Sequence, residues 1–224
     1  VVPSTLPDPI LHGRQAVIAE REGMSTVPLY IAVPGVADPD PELPALELAN
    51  FVFGADFTAR LMQILRADNG WTYGAYSGFQ QAFGAHSRPG LFSLYTFPSA
   101  EFAAKAIPKA LELLDEFCAK GITEDEFEES KESLGNRCAF LIDTAEKRLS
   151  LKMRDAITGR PYPSPEVYRR WLAATTRDQV NASIARKLST RDLIVSAAGD
   201  ASVLKPIMSA LPGVQSVEAL DVQP

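Results

Sequence analysis

The chain has 224 residues, 46% of them hydrophobic and 22% charged. That is long enough to bury roughly two-thirds of its surface, and no apolar run approaches the roughly 20 residues that cross a bilayer, so disordered, collagen-like and helical membrane-spanning classes are excluded. Its 22 Lys+Arg against 28 Asp+Glu leave a net charge of −6, which repels a phosphate backbone, and no basic stripe offsets it; no nucleic-acid partner is expected.

The opening residues VVPSTLPDPIL, with Pro3, Pro7 and Pro9, read as a linker over 1–13 ahead of one domain over 14–224, and imply a longer parent chain. From Arg14 to Pro34, QAVIAERE and STVPLYIAV alternate or run apolar around Glu22-Gly23 and predict two strands. Asp40-Pro41-Glu42 then opens a helix carrying Leu43, Leu46, Leu48, Ala49 and Val52 and stopping near Gly54, with Asp40 as the expected cap. A second helix is predicted from Phe57 to about Ala67, closed by Asn69-Gly70. The period then changes to 2, with Trp71, Tyr73 and Ala75 expected on one face of a strand and Thr72, Gly74 and Tyr76 on the other. A return strand, Gly90 to Phe97, follows through His86-Ser87-Arg88-Pro89-Gly90, so a long hairpin is expected.

The remainder reads mostly as helix. Phe102, Ala106, Ile107, Ala110, Leu111, Leu114 and Phe117 form one apolar stripe, which Pro108 is expected to kink, and Gly121 ends it. Thr123 and Glu126 make a capping box for a polar helix toward Thr144; Ser164-Pro165 and Thr176-x-x-Gln179 open two shorter helices, and a buried strand, Asp192 to Ala198, precedes a last helix after Asp200. Strands, then helices, then one strand predict an α+β fold in which an antiparallel sheet is covered by helices on one face.

Little of this carries obvious chemistry. Cys118 and Cys138 sit in helical patterns and read as packing residues; His12 and His86, the only histidines, are far apart, with His86 expected on an exposed hairpin. The acidic run Glu124 to Glu129 reads as a solvated helix start. Trp71, Tyr73, Tyr76 and Phe79 fit either a peptide groove or cross-strand packing. No Ser-His-Asp or Cys-His set and no phosphate-binding glycine motif is present. Arg66 and Tyr73 stand out. A helix-to-strand reversal separates them by seven residues and can bring a guanidinium and a phenol to one surface as fixed donors to a carbonyl or oxyanion. Taken alone, the same residues also fit a helix-end arginine and a strand-packed tyrosine.

The stretch Phe53 to Phe79 resembles the C-terminal half-domain of the insulinase or pitrilysin-like zinc metallopeptidases in Gly54, Arg60-Leu61, Leu65-Arg66 and Gly70-Trp71-Thr72-Tyr73, and the order of elements is similar from about Arg14 to Pro206. It departs from the family pattern at Ala59, where Ser is usual, and at Ala67, where a Glu follows the arginine. The resemblance implies a zinc-free half-domain in which Arg66 and Tyr73 grip the peptide substrate and stabilise the transition state. It implies no metal ligand in this chain, a zinc carried by a homologous half-domain or subunit through His-x-x-Glu-His, and no hydrolysis by this chain alone. Bacterial members that look similar imply a periplasmic address. Some relatives are catalytically inactive structural or peptide-binding subunits, which is the alternative function.

Overall fold

A computed structural model describes residues 11–37, 40–80, 89–137, 140, 142–158 and 164–221. Its strands are β1 (Arg14–Glu20), β2 (Leu29–Pro34), β3 (Thr72–Gln80), β4 (Leu91–Pro98), β5 (Leu193–Gly199) and β6 (Val214–Asp221). Between β2 and β3 lie α1 (Leu43–Asn50), which continues as a π-helical turn (Phe51–Ala55), and the short α2 (Arg60–Met62), which continues as a second π-helical turn (Gln63–Asp68). After β4 come α3 (Ala103–Lys120), α4 (Glu124–Arg137), α5 (Ala145–Thr158), α6 (Pro165–Ala174) and α7 (Arg177–Lys187), and α8 (Ala201–Ser209) joins β5 to β6.

The strands form one sheet in the order β3-β4-β2-β5-β1-β6. The α+β class with a helix-covered sheet is what the sequence predicts; the sheet itself is mixed rather than wholly antiparallel. β3, β4, β2 and β5 pair antiparallel, whereas β1 runs parallel to both β5 and β6. The crossover through α8 carries the chain from one side of β1 to the other, as parallel neighbours require. β6 has no counterpart in the sequence reading: it is an edge strand, mostly exposed, and VQSVEALD offers no apolar run to betray it.

Alternation places the core. Leu29, Ile31 and Val33 of β2, Phe92 and Leu94 of β4, and Leu193, Val195 and Ala197 of β5 are buried under the helices, with Leu111, Leu114 and Phe117 of α3 packed against them. Phe53 of the first π-helical turn stacks on Phe117 at 4.3 Å and lies 6.2 Å from Phe92, tying that turn to sheet and helix together. The other face carries Tyr76, Tyr95 and Tyr30 in one row across three strands, with Tyr30 and Tyr95 stacked at 4.4 Å.

Local signals mostly behave as their chemistry dictates. The capping boxes form at Thr123/Glu126 and Thr176/Gln179, and Gly121 ends α3 with a φ of +70°. α3 runs on through Pro108; its buried stripe holds it where one ladder bond is missing. Asp40 does not cap α1: its carboxylate accepts from the Glu42 amide in a turn, and the helix begins at Leu43. The polar helix after Thr123 ends at Arg137 rather than near Thr144, and α5 follows as a separate element. Cys138 and His86, with most of the β3–β4 hairpin loop, lie outside the described residues.

Candidate functional site

The site is built where the α1–α2 layer meets the edge strand β3. Gly54 allows the approach. A Cβ there would sit 2.3 Å from Ser77 Oγ and 2.7 Å from the Ser77 amide, so only a glycine lets the first π-helical turn touch the strand. Beside it the buried Asn50 accepts from Ser77 Oγ at 2.6 Å and donates to the Ser77 carbonyl at 3.3 Å. α2 is held from the far side, where Arg60 grips Glu126 of α4 through both carboxylate oxygens at 2.8 and 2.9 Å. Burial alone would raise the Glu126 carboxyl, but hydrogen bonds from Arg60 and from the Thr123 amide outweigh it and hold it below its ordinary value. One member of the acidic run is thus a structural anchor rather than a solvated charge.

Arg66 lies in the second π-helical turn, a widened geometry that recurs at functional sites. The turn is reversed into β3 by the Gly70 amide donating to the Arg66 carbonyl at 2.8 Å and the Trp71 amide donating to the Leu65 carbonyl at 3.1 Å, with Gly70 at a φ of +65°. The half-buried guanidinium lies 4.7 Å from the centre of the exposed Phe57 ring. Among the described residues it has no carboxylate partner. The ring contact with Phe57 constrains Arg66 without using its hydrogen-bond donors.

Tyr73 departs from the expected alternation. The register shifts between Thr72 and Ala75, a bulge of one extra residue opposite Phe97. Thr72 and Ala75 are both buried, and Tyr73 is 84% exposed. A knot of hydroxyls fixes the bulge. Thr72 Oγ1 accepts from the Gly74 amide at 3.2 Å and donates to the Gly74 carbonyl at 2.9 Å, and Thr96 Oγ1 lies 2.9 Å from that carbonyl and 3.2 Å from Thr72 Oγ1. The Ala75 amide completes it by donating to Met62 Sδ at 3.2 Å. Neither Arg66 nor Tyr73 is sealed in the core. Both belong to one short reversal at the β3 edge, and each has donor capacity not used within the described residues.

Sequence reasoning missed Phe57, Thr72, Thr96 and the bulge itself. The available signal was Gly74, since an isolated glycine in a strand pattern marks a bulge or a close approach. The other candidates contribute no chemistry. Trp71 and Phe79 pack on the core, and burial together with the Asp115 charge pushes the Cys118 thiol up to about 12, far from a reactive thiolate. No group of three His, Cys, Asp or Glu among the described residues is placed to hold a metal, and no described helix is long and apolar enough to cross a membrane.

Comparison with known proteins gives a family match and a fold match. The sequence model described as "Peptidase M16 inactive domain" matches residues 2–134. Among solved structures, the chain is similar to a peptidase M16 inactive domain from Pseudomonas fluorescens (24% identity, TM-score 0.70, covering 84% of this chain and 43% of that one). It is also similar to the periplasmic protease PqqL from Escherichia coli (16% identity, TM-score 0.65, 84% and 21%). A third likeness is to a chain of Complex III2 from Candida albicans (17% identity, TM-score 0.67, 86% and 47%). The chain spans less than half the length of each of these structures. No curated protein matches it.

Proposed function

We propose, from the premise that this chain belongs to the peptidase M16 inactive-domain family, that it is the zinc-free half of a bipartite zinc metalloendopeptidase and that Arg66 and Tyr73 grip the substrate backbone. The observation that carries this reading is that one tight reversal bears two polar groups with no hydrogen-bond partner among the described residues: a guanidinium beside an aromatic ring, and a phenol held out on a bulge. A chain that needed Tyr73 only for packing would not expose it behind a buried hydroxyl network.

The residues here do not fit a zinc ion: the chain has two histidines, His12 and His86, and no His-x-x-Glu-His. The metal belongs, in this reading, to a homologous half-domain or subunit, where it supplies the activated water. This chain supplies donors. The guanidinium of Arg66 holds a backbone carbonyl beside the scissile bond, and the Tyr73 hydroxyl donates to the oxygen on which negative charge develops.

The test is a reconstituted assembly with a companion bearing His-x-x-Glu-His, assayed on a quenched extended peptide. Tyr73→Phe and Arg66→Ala are each expected to lower kcat/KM by about 10²–10³-fold without changing the thermal midpoint of the chain. Unchanged hydrolysis in both variants overturns the assignment. The second reading, a catalytically inactive structural or peptide-binding subunit, is favoured by the comparable likeness to a chain of Complex III2. It gains if no companion reading frame encodes the metal motif.

A further inference from the structure

The strands β1 to β5 contain only two charged residues in a chain that is 22% charged, and both are turned toward the helices. Arg14 pairs with Asp115 of α3, and Glu20 accepts the Ala201 amide at the start of α8. The opposite face of those strands is therefore free of Asp, Glu, Lys and Arg, where a sheet face turned to water ordinarily carries polar side chains at alternate positions. Burial does not compensate for this. Tyr30 is 44% and Tyr76 46% exposed, and Tyr95 lies between them in the row, its ring centre 4.4 Å from that of Tyr30 and 5.5 Å from that of Phe97. The bulge brings Tyr73 to the same face. Thr72 and Ala75 are both buried, so the two residues between them, Tyr73 and Gly74, lie together on the outer side with Tyr76. Gly74 makes room for the neighbouring ring: a Cβ there would sit 2.7 Å from both Cε2 and Oη of Tyr76. The Tyr76 ring thus lies back along the strand, over the bulge that carries Tyr73.

Building on the peptide-gripping reading above, we infer that this uncharged aromatic face is the side-chain subsite for the peptide held by Arg66 and Tyr73, and that it selects extended segments with aromatic or large apolar residues near the scissile bond and rejects acidic ones. The dimensions fit. At about 3.3 Å per residue and about 4.8 Å between strands, the patch from Tyr73 to Tyr76 and across to Tyr30 measures about 10 Å each way, room for two side chains of an extended peptide, which emerge on one side about 7 Å apart. The chemistry fits as well. Tyrosine rings accept aromatic and aliphatic groups on their faces, whereas a carboxylate laid on them would lose water and meet phenol hydroxyls but no cation on this face of the five strands. Position chooses the occupant. A second copy or a permanent partner seated on the row of Tyr76, Tyr95 and Tyr30 would also cover the adjoining Tyr73, which is 84% exposed and which the reading requires to reach substrate. The substrate itself is the occupant that uses both.

The reconstituted assembly tests this with quenched peptides in which Phe, Leu or Asp is placed in turn at each of the three positions on either side of the cleaved bond. At one position or more, Phe and Leu are expected to exceed Asp in kcat/KM by about tenfold or more. Tyr76→Ala combined with Tyr95→Ala is expected to reduce that ratio to less than about threefold, chiefly by raising KM for the Phe peptide. Tyr76→Arg is expected to raise kcat/KM for the Asp peptide above wild type, a gain that a misfolded variant cannot give. Equal hydrolysis of the Phe and Asp peptides by the wild-type assembly overturns the inference, as does an undiminished ratio in the double variant. Fluorine NMR reads binding without hydrolysis, in the chain alone and in the assembly, with fluorotyrosine incorporated. The Phe peptide is expected to shift the Tyr30, Tyr76 and Tyr95 signals and the Asp peptide to leave them in place; absence of any shift overturns the inference. Signals that move with the chain's own concentration before peptide is added assign the face to a second copy and overturn it too. The two readings fail separately. A retained Phe preference with unchanged hydrolysis in Tyr73→Phe and Arg66→Ala keeps the subsite and removes the grip; loss of hydrolysis in those variants without any side-chain preference keeps the grip and removes the subsite.

Discussion

At the scale of single residues, exposure of Tyr73 depends on one hydroxyl. Thr72 Oγ1 both receives the Gly74 amide and donates to the Gly74 carbonyl inside a buried pocket of the sheet, so it substitutes for the ladder bonds that the bulge disrupts. Replacing it by an isosteric methyl leaves the Gly74 amide buried and unpaired, a loss of about 1–3 kcal/mol. Thr72→Val is therefore expected to lower stability by that amount in denaturant unfolding and to lower peptide hydrolysis by the assembly as far as Tyr73→Phe does. Thr72→Ser, which keeps the hydroxyl, restores both. Loss of stability with full hydrolysis would show that the bulge does not position Tyr73. The identity and spacing of Arg66 and Tyr73 were legible in the sequence, because a helix stop at Asn69-Gly70 and a change of period mark the reversal. The phase was not: strict alternation put Tyr73 with Ala75, and one extra residue separates them.

At the scale of elements, the sequence showed best those segments whose ends carry their own chemistry. Thr123/Glu126, Thr176/Gln179 and Gly121 satisfy orphan backbone groups locally, so their signals survive whatever the rest of the chain does. The π-helical turns left no such trace in the sequence, and both lie against β3. Gly54 marks that contact. Gly54→Ala would drive a methyl into Ser77 Oγ and, more seriously, the Ser77 amide, which cannot swing aside. Overpacking of this kind costs about 1–3 kcal/mol. The expected result is a lower unfolding midpoint, with faster hydrogen exchange concentrated in the segment from Phe51 to Gln80. A wild-type midpoint would mean that the turn and the strand part more easily than their close approach implies.

At the scale of the molecule, the pairings hardest to foresee join the two ends of the chain: β1 lies between β5 and β6, and the Gly13 amide reaches Asp192 across 179 positions. No local pattern encodes such partners. Charges reinforce the closure, since Lys187 and Arg186 at the end of α7 hold Asp40 and Glu42 at the entry to α1. Burial would raise the Asp40 carboxyl, but the Lys187 hydrogen bond and charge, with the Glu42 amide, outweigh it; at Glu42 the Arg186 hydrogen bond is the largest influence, and both groups are held below their ordinary values of 3.8 and 4.5. Asp56 is lowered in the same sense by Thr58 and Arg137, against burial that would raise it, as Glu126 is by Arg60. A carboxyl whose folded value is depressed contributes stability that is fully present above its unfolded value and is lost as pH falls through the folded one. The unfolding midpoint is therefore expected to hold steady from neutrality down to about pH 5 and to fall below about pH 4.5, where the unfolded chain begins to take up more protons than the folded one. Asp40→Asn combined with Glu42→Gln should lower the neutral plateau and flatten the acid slope. If the double variant keeps the wild-type slope, these pairs do not hold α1 to α7, and the acid sensitivity lies with the other depressed carboxyls, Asp56 and Glu126 among them.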